Sequence, residues 1–377
     1  MKTLYIAATG QHVGKTTSTL GLVRNFKEMG FNAGYCKPVG QKHLTINGQL
    51  VDKDAVLFAE TAGFEIEPEL HSPVILAKGV TKSYIESPYS LPFRGDIKNA
   101  ARRLEDRHEV VIYEGTGHPG VGSVVDLSNA HVARLLKAGV IMVVEGGIGS
   151  TLDRLNLSMA LFREQRVPLL GVIVNKVRQD KYEEVGFFLK KKLDQYKIPI
   201  LGMLPYDQSL SFPIMETITQ AVEGQVILNE NRLSNRVEDI ISGSLVDMDE
   251  FNTFDNTLLV VSSKRLNEAI EKVKTIASLK KLERSPLSGV IVTGDGKHAK
   301  LTDVADLSNP YFVDHKIPVI TTKLDTLGSV IKISRIEVKI NTRTPWKVKR
   351  AVELIRKHVD FDLLLDRMRL QPKQVQG

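Results

Sequence analysis

Cysteine is nearly absent from this chain. The 377 residues hold one, Cys36, which excludes an intramolecular disulfide and suits a reducing compartment. It follows Tyr35 in an apolar stretch and reads as a small buried side chain. No apolar run approaches the roughly 20 residues that cross a bilayer, so no membrane partner is expected. The first residues enter a strand-like segment at once, which leaves no room for a secretory signal; a cytoplasmic location is expected. There is no short-period repeat and no low-complexity segment, and neither His12 nor His118 stands at metal-ligand spacing. An acidic excess is missing too. The net charge is +7 and the pI about 9.2. Between Lys332 and Arg350 seven Lys or Arg face one acid, Glu337. They alternate with Val, Ile and Thr, as in a half-buried strand followed by an amphipathic helix, and do not form the block of a polybasic tail. Nucleic acid is therefore disfavoured as a partner.

What is present is an α/β pattern. The length predicts two or three domains. Buried strands are expected at 3–9, 32–39, 109–115, 138–147, 169–177 and 200–206, separated by helices at 15–30, 129–137, 152–165 and 182–196. Continuous apolar strands alternating with helices predict a parallel sheet with helices on both faces. After residue 207 the pattern changes to a polar connection, then strands at 257–263, 288–294 and 317–323 and helices at 265–280 and 345–358. These predict a first domain over 1–225, a smaller α/β domain over 230–360 and a polar, frayed tail over 361–377.

The stretch "TGQHVGKTT" (9–17) follows the first strand and opens the first helix. It departs from the G-x-x-x-x-G-K-[ST] spacing of a phosphate loop, its first glycine falling one place late at Gly10. The context still favours phosphate. Free N–H groups and the positive end of a helix dipole meet there, Gly10 and Gly14 allow close backbone approach, Lys15 reaches outer phosphates, and the Thr16 hydroxyl suits Mg²⁺. Such an ion needs carboxylates. Asp52 and Asp54 precede a helix, where a helix cap explains Asp52 equally well. Glu114 ends an apolar strand and calls for an electrostatic partner. Lys37 ends another strand, where it can neutralise developing phosphate charge, and Asn175 ends a further one, able to donate and accept toward an adenine edge. His12 and His118 flank the pocket as substrate-side or structural groups. "VTGDGKH" (292–298) reads more readily as a Gly-rich connection than as a second anion turn.

Taken together, strand–"GQHVGKTT"–helix, "YCKPVGQ", "DKDAVL", "VIYEGTG", "GVIVNKV" and "ILGMLPY" resemble the dethiobiotin synthetase family of P-loop proteins and the related cobyrinate and cobyric acid synthases. Members carry T-[DG]-T-x-V-G-K-T loops with the same displaced glycine. The resemblance implies a P-loop NTPase-type fold, with ATP and Mg²⁺ as cofactors. It implies that Gly10, Gln11, His12, Val13, Gly14, Lys15, Thr16 and Thr17 wrap the nucleotide and that Lys15 and Lys37 contact phosphates and the reacting carboxylate. Thr16, Asp54 and Glu114 would hold Mg²⁺, and Asn175 would read adenine with Pro205 nearby. Departures lie on the substrate side: His12 stands where an acid is common, Gln41 where a small hydroxyl residue is, and "EGTGHPG" replaces Glu-Gly-Ala-Gly-Gly.

A longer resemblance takes in almost the whole chain. The amino-terminal segment is similar to that of long bacterial phosphotransacetylases, and "DNTLLVVSSKR", "SGVIVTGDGK" and "DTLGSVIKISRIEVKI…WKVKRAVELIRKHVD" are similar to the DRTGG domain that follows there, without the literal Asp-Arg-Thr-Gly-Gly string. It implies the regulatory part of such an enzyme, with no acetyl transfer of its own, and the intact Gly14-Lys15-Thr16 implies retained nucleotide binding. Two functions follow as expectations: a regulatory or sensory Mg-ATP-binding protein that also takes an unknown small ligand, or an ATP-dependent ligase with a substrate pocket at His12, Gln41 and the 115–122 loop. The fold's usual dimers make a homo-oligomer the default.

Overall fold

A computed structural model describes residues 1–242, 255–294 and 309–371. The chain forms two compact units, one of residues 1–207 with 340–377, the other of 208–339. In the first, β1 (Thr3–Ala8), β2 (Ala33–Cys36), β3 (Val110–Glu114), β4 (Gly139–Glu145), β5 (Leu169–Val177) and β6 (Ile200–Pro205) build a six-stranded sheet in the order β6-β5-β4-β1-β3-β2. Every pairing in it is parallel, as the apolar runs predict, so all six strands end on one edge.

Alternation along each strand divides the core in two. Tyr5, Ala7, Tyr113 and Met142 face one layer, where helices Phe93–Arg107, Asn129–Leu135, Gly149–Glu164 and Tyr182–Gln195 cover them. Leu4, Ile6, Ile112, Val143 and Ile173 face the other, with α1 (Lys15–Glu28) and helix Lys53–Ala62. That second layer is completed from the far end of the chain. Helix Pro345–His358 supplies Ala351 and Ile355, and helix Phe361–Met368 supplies Leu364, Leu365 and Met368. The expected boundaries at 225 and 360 therefore do not hold. Residues 345–358 belong with the first unit, and 361–368 form a packed helix where a frayed tail was expected.

The physical reason lies in the sheet. The helices that follow β3, β4 and β5 all pack on the first face, leaving Leu170, Ile173, Leu201 and Leu204 on the second to be covered by something else. Burying them removes about 25 cal/mol per Å² of apolar surface from water. Gly21 lets the two helices meet: a Cβ there would lie 2.3 Å from Ile355 Cγ1. Asn25 locks the crossing by donating from Nδ2 to the Val352 carbonyl at 3.2 Å. Gly21→Val is accordingly expected to cost about 2 kcal/mol or more through overpacking, read from the urea midpoint; an unchanged midpoint would show the helix pair to be loosely held.

The second unit is a smaller α/β layer. Its strands are β7 (Gln225–Leu228), β8 (Asp239–Ser242), β9 (Thr257–Ser262), β10 (Leu287–Thr293) and β11 (Val319–Thr322), in the order β7-β11-β10-β9-β8. β7 is antiparallel to β11 and the remaining pairings are parallel. Helix Leu266–Leu279 packs on one face, helices Met215–Ala221 and Thr326–Ser334 on the other. β7 and β8 lie where a polar connection was expected, and helix Met215–Ala221 joins this unit rather than the first. The half-buried strand expected between Lys332 and helix 345–358 does not form: helix Thr326–Ser334 runs past Lys332, and residues 335–344 join no sheet. Of "VTGDGKH", Thr293 ends β10 and Gly294 follows it; residues 295–298 lie outside the described residues. No described helix is long and apolar enough to cross a membrane.

Candidate functional site

The predicted residues gather at the strand-end edge beside β1, where open α/β sheets bind their ligands. Thr9 to Gly14 turn from β1 into α1. The left-handed positions in this turn are His12 (φ 57°) and Gly14 (φ 111°). At Gly10 a Cβ would make only ordinary contact, 3.5 Å from Val13 Cγ2. The displaced glycine thus carries little conformational burden, and histidine is among the few residues that visit the left-handed region readily. Gly14 is fixed twice over, by its φ and by Asn175, whose Nδ2 would lie 2.0 Å from an added Cβ. No side chain caps α1, so the N–H groups that a helix start leaves over are a natural seat for phosphate.

Lys15 lies across the loop. Its Nζ donates to the Gly10 carbonyl at 2.9 Å and to the Gly117 carbonyl at 2.7 Å. It therefore ties the β1–α1 turn to the loop after β3. Thr16 points its hydroxyl at Glu114 and donates to Oε1 at 2.8 Å. On the other carboxylate oxygen, Glu114 accepts from the Tyr35 hydroxyl at 3.3 Å. Glu114 is 1% exposed, and burial pushes its pKa up to about 7 against the pull of the Lys37 charge.

Lys37 is the partner that Glu114 calls for. Its ammonium stands 3.6 Å from Glu114 Oε1 and 3.8 Å from Asp52 Oδ1, and it pairs directly with Asp54. Burial alone would lower the lysine's pKa, but Glu114, Asp54 and Asp52 outweigh it and hold the ammonium charged. Asp52 proves to be the cap of helix Lys53–Ala62, accepting from the Asp54 N–H at 2.9 Å, so the cap reading and the cluster reading are both correct for it. One cation thus faces three carboxylates, directly behind the Thr16 hydroxyl.

His71 steadies this lysine from behind. Its carbonyl accepts the Lys37 N–H at 2.8 Å, and its ring stacks on Phe64 at 4.5 Å. Burial lowers the imidazole pKa to about 4. The unfolded chain, near 6.5, then binds the proton more readily than the folded one between these values. Stability conferred by the neutral ring is present above about pH 6.5 and lost as pH falls toward 4. The expected loss is at most about 3 kcal/mol. His71→Asn should flatten that acid limb in urea midpoints measured from neutral pH downward; a limb of the same slope would show that His71 does not set it.

The remaining predicted residues separate. Asn175 lies under the loop, its Nδ2 donating to the Val13 carbonyl at 2.8 Å. In this geometry its amide nitrogen supports the turn. Pro205 ends the outermost strand, with β5 and β4 between it and β1. Gln11 and His12 are exposed, Val13 is buried in the second layer, and Thr17 is half-buried. Gln41 and His118 are both exposed.

Sequence reasoning missed Asn129. It accepts at Oδ1 from the Tyr5 hydroxyl at 2.7 Å and from the Thr116 N–H at 3.0 Å. From Nδ2 it donates to the carbonyls of Thr116 at 2.8 Å and His118 at 2.7 Å. The loop that offers Gly117 to Lys15 is thereby pinned to the sheet. Nothing local marks Asn129, which follows a Ser cap at the start of a helix.

Among the described residues no three His, Cys, Asp or Glu side chains form a metal cage. The donors beside the loop are a hydroxyl and carboxylate oxygens, the hard set that Mg²⁺ takes when it keeps waters and phosphates as further ligands. Thr16 and Glu114 fit that ion directly. Asp54 fits it only in company with the ammonium of Lys37.

The comparisons agree with this architecture. The AAA domain family, AAA_26, matches residues 2–213. A phosphate acetyltransferase of Nitrosomonas europaea is 25% identical over 97% of this chain and 52% of its own length. The cobyric acid synthase of Pelotomaculum thermopropionicum is 27% identical over 62% of this chain and 50% of its own. The ATP-dependent dethiobiotin synthetase of Clostridium acetobutylicum is 24% identical over 55% of this chain and 87% of its own. The chain spans about half the length of the phosphate acetyltransferases it matches. Among solved structures, the septum site-determining protein MinD of Pyrococcus horikoshii, complexed with Mg-ADP, aligns at a TM-score of 0.35 and 16% identity over 56% of this chain and 83% of its own. With more than half of its residues under one family, the chain belongs to the AAA_26 family of AAA domains, on a parallel-sheet P-loop fold.

Proposed function

We propose that the first unit binds Mg-ATP at the β1–α1 turn and that the protein uses it in a regulatory or sensory role. The observation that carries nucleotide binding is the contact of the Thr16 hydroxyl with buried Glu114, beside Lys15 and at the uncapped start of α1. Thr16, Glu114 and Asp54 would hold Mg²⁺, which supplies charge neutralisation to the phosphates. Lys15 supplies the same by direct contact, and Asn175 keeps the turn in shape. The regulatory reading is supported by the extent of likeness. Similarity to phosphate acetyltransferases runs through both units, whereas that to dethiobiotin synthetase extends over 55% of the chain. In this reading the second unit is a DRTGG-like domain that senses a ligand or makes the contacts of a homo-oligomer.

A ligase that phosphorylates a carboxylate or carbamate is the second reading. What favours it is Lys37, a cation held beside the loop by three carboxylates, available to a transferring phosphoryl group. Titration calorimetry with ATP, with and without Mg²⁺, tests binding; turnover and small-angle scattering on the same samples separate the roles. The regulatory reading expects Mg-dependent binding, slow or no turnover, and scattering that changes with ATP. Stoichiometric product from ATP, bicarbonate and a diamine would overturn it in favour of the ligase.

A further inference from the structure

The second unit carries a groove of about 260 Å³ at the edge from which its parallel strands start. Arg232 and Arg236 reach it from the segment before β8, Asp255 from before β9, Arg284 from before β10 and Lys316 from before β11. Its floor is fastened by polar contacts. Asn235 Nδ2 donates to the Ser288 carbonyl at 2.9 Å, and buried Ser288 donates its hydroxyl to the Arg236 carbonyl. These bonds fix the backbone that presents the arginines.

The charges around this floor do not balance. Arg284 pairs with Asp255 at 3.1 Å and Arg236 pairs with Glu238. Arg232 and Lys316 make no ion pair among the described residues. Among the described residues, Arg232 and Lys316 thus bring two positive charges to the groove beyond the two ion pairs. The Arg284–Asp255 pair is largely exposed, 79% and 50% by side chain, so it contributes little to stability and can open to a competing anion. Arginine forks match phosphate and carboxylate oxygens bidentately. A volume just under the roughly 300 Å³ at which drug-sized sites begin suits a small metabolite better than a nucleotide.

We propose that this groove binds a small organic anion bearing two or more phosphate or carboxylate groups. Its charge matches the two uncompensated cations, and its oxygens replace Asp255 as the partner of Arg284. The groove belongs to the second unit and the loop beside β1 to the first.

The test uses the full chain carrying Lys15→Ala, so that the loop beside β1 does not compete. Inorganic pyrophosphate and, separately, citrate are titrated in by calorimetry at ionic strength fixed with sodium chloride, because exposed charges are screened by salt. Saturable one-to-one binding of at least one probe is expected. Adding Arg232→Gln and Lys316→Gln, both at exposed positions, should weaken it by about ten-fold or more. Binding of pyrophosphate alone assigns phosphate chemistry, binding of citrate alone assigns polycarboxylate chemistry, and either supports the site. The proposal is overturned if neither probe saturates, or if the double substitution leaves affinity unchanged while circular dichroism shows the fold intact.

Discussion

Lys15→Ala is expected to weaken ATP binding by on the order of a hundred-fold, about 3 kcal/mol, with the fold retained. The lysine is half-buried at the head of α1, and its ammonium already sits among oxygens, those of Gly10 and Gly117. Phosphate oxygens would exchange for these carbonyls and gain a charge-assisted bond in their place. Alanine removes the charge and also unties the loop after β3 from the β1–α1 turn. The two effects part in the melting temperature. Loss of the carbonyl contacts alone, at a half-buried group, should shift it by a few degrees at most, since Asn129 still pins the loop through Thr116 and His118. Calorimetric titration of ATP with Mg²⁺ measures the affinity. An affinity equal to that of the unaltered chain would remove the turn from the nucleotide site.

Lys37→Met is the second large effect, and it falls on stability. The substitution keeps the length of the side chain and deletes the ammonium that pairs with Asp52, Asp54 and Glu114. Removing one partner of a buried charge cluster costs about 3–5 kcal/mol, because the carboxylates remain and their attraction is gone. Glu114 stands at about 7 with Lys37 present; without it, burial drives the value further up. A carboxyl whose folded pKa lies above its unfolded one holds more protons when folded, so stability falls as pH rises. The deficit of the variant should therefore be largest at and above pH 7 and shrink as pH falls toward the unfolded carboxyl value, about 4.3. Urea midpoints across that interval check both size and sign. A deficit below about 1 kcal/mol, or one that grows toward acid, would show that the cluster does not rely on Lys37.

Much of the first unit was legible from local pattern. Six apolar runs, each spaced by a helix, specify a parallel sheet, and residues at run ends such as Glu114, Lys37 and Asn175 must then share one edge. The need of Glu114 for a partner followed from a carboxylate closing a buried strand. Which cation met it did not follow, because Lys37 was aimed at phosphate on chemical grounds while three carboxylates in space claim it first. Asn175 shows the same limit: a strand-end amide suits a base or a loop carbonyl, and only the approach of Gly14 selects the carbonyl of Val13.

By itself the sequence determined the sheet, the Gly14-Lys15-Thr16 turn and the presence of a second α/β layer, because hydrophobic period, glycine placement and residue chemistry are local properties. Tertiary structure alone decided where helices 345–358 and 361–368 belong. The amphipathic pattern of 345–358 states that one face must be buried, not against what, and the helix at 361–368 stands where a frayed tail was expected. The answer depends on the bare second face of β5 and β6, about 140 to 200 residues earlier in the chain, and on Gly21 allowing α1 to approach Ile355. Asn129 was decided in the same way, its four hydrogen bonds joining β1 to the loop after β3 across distances in sequence that no local signal reports.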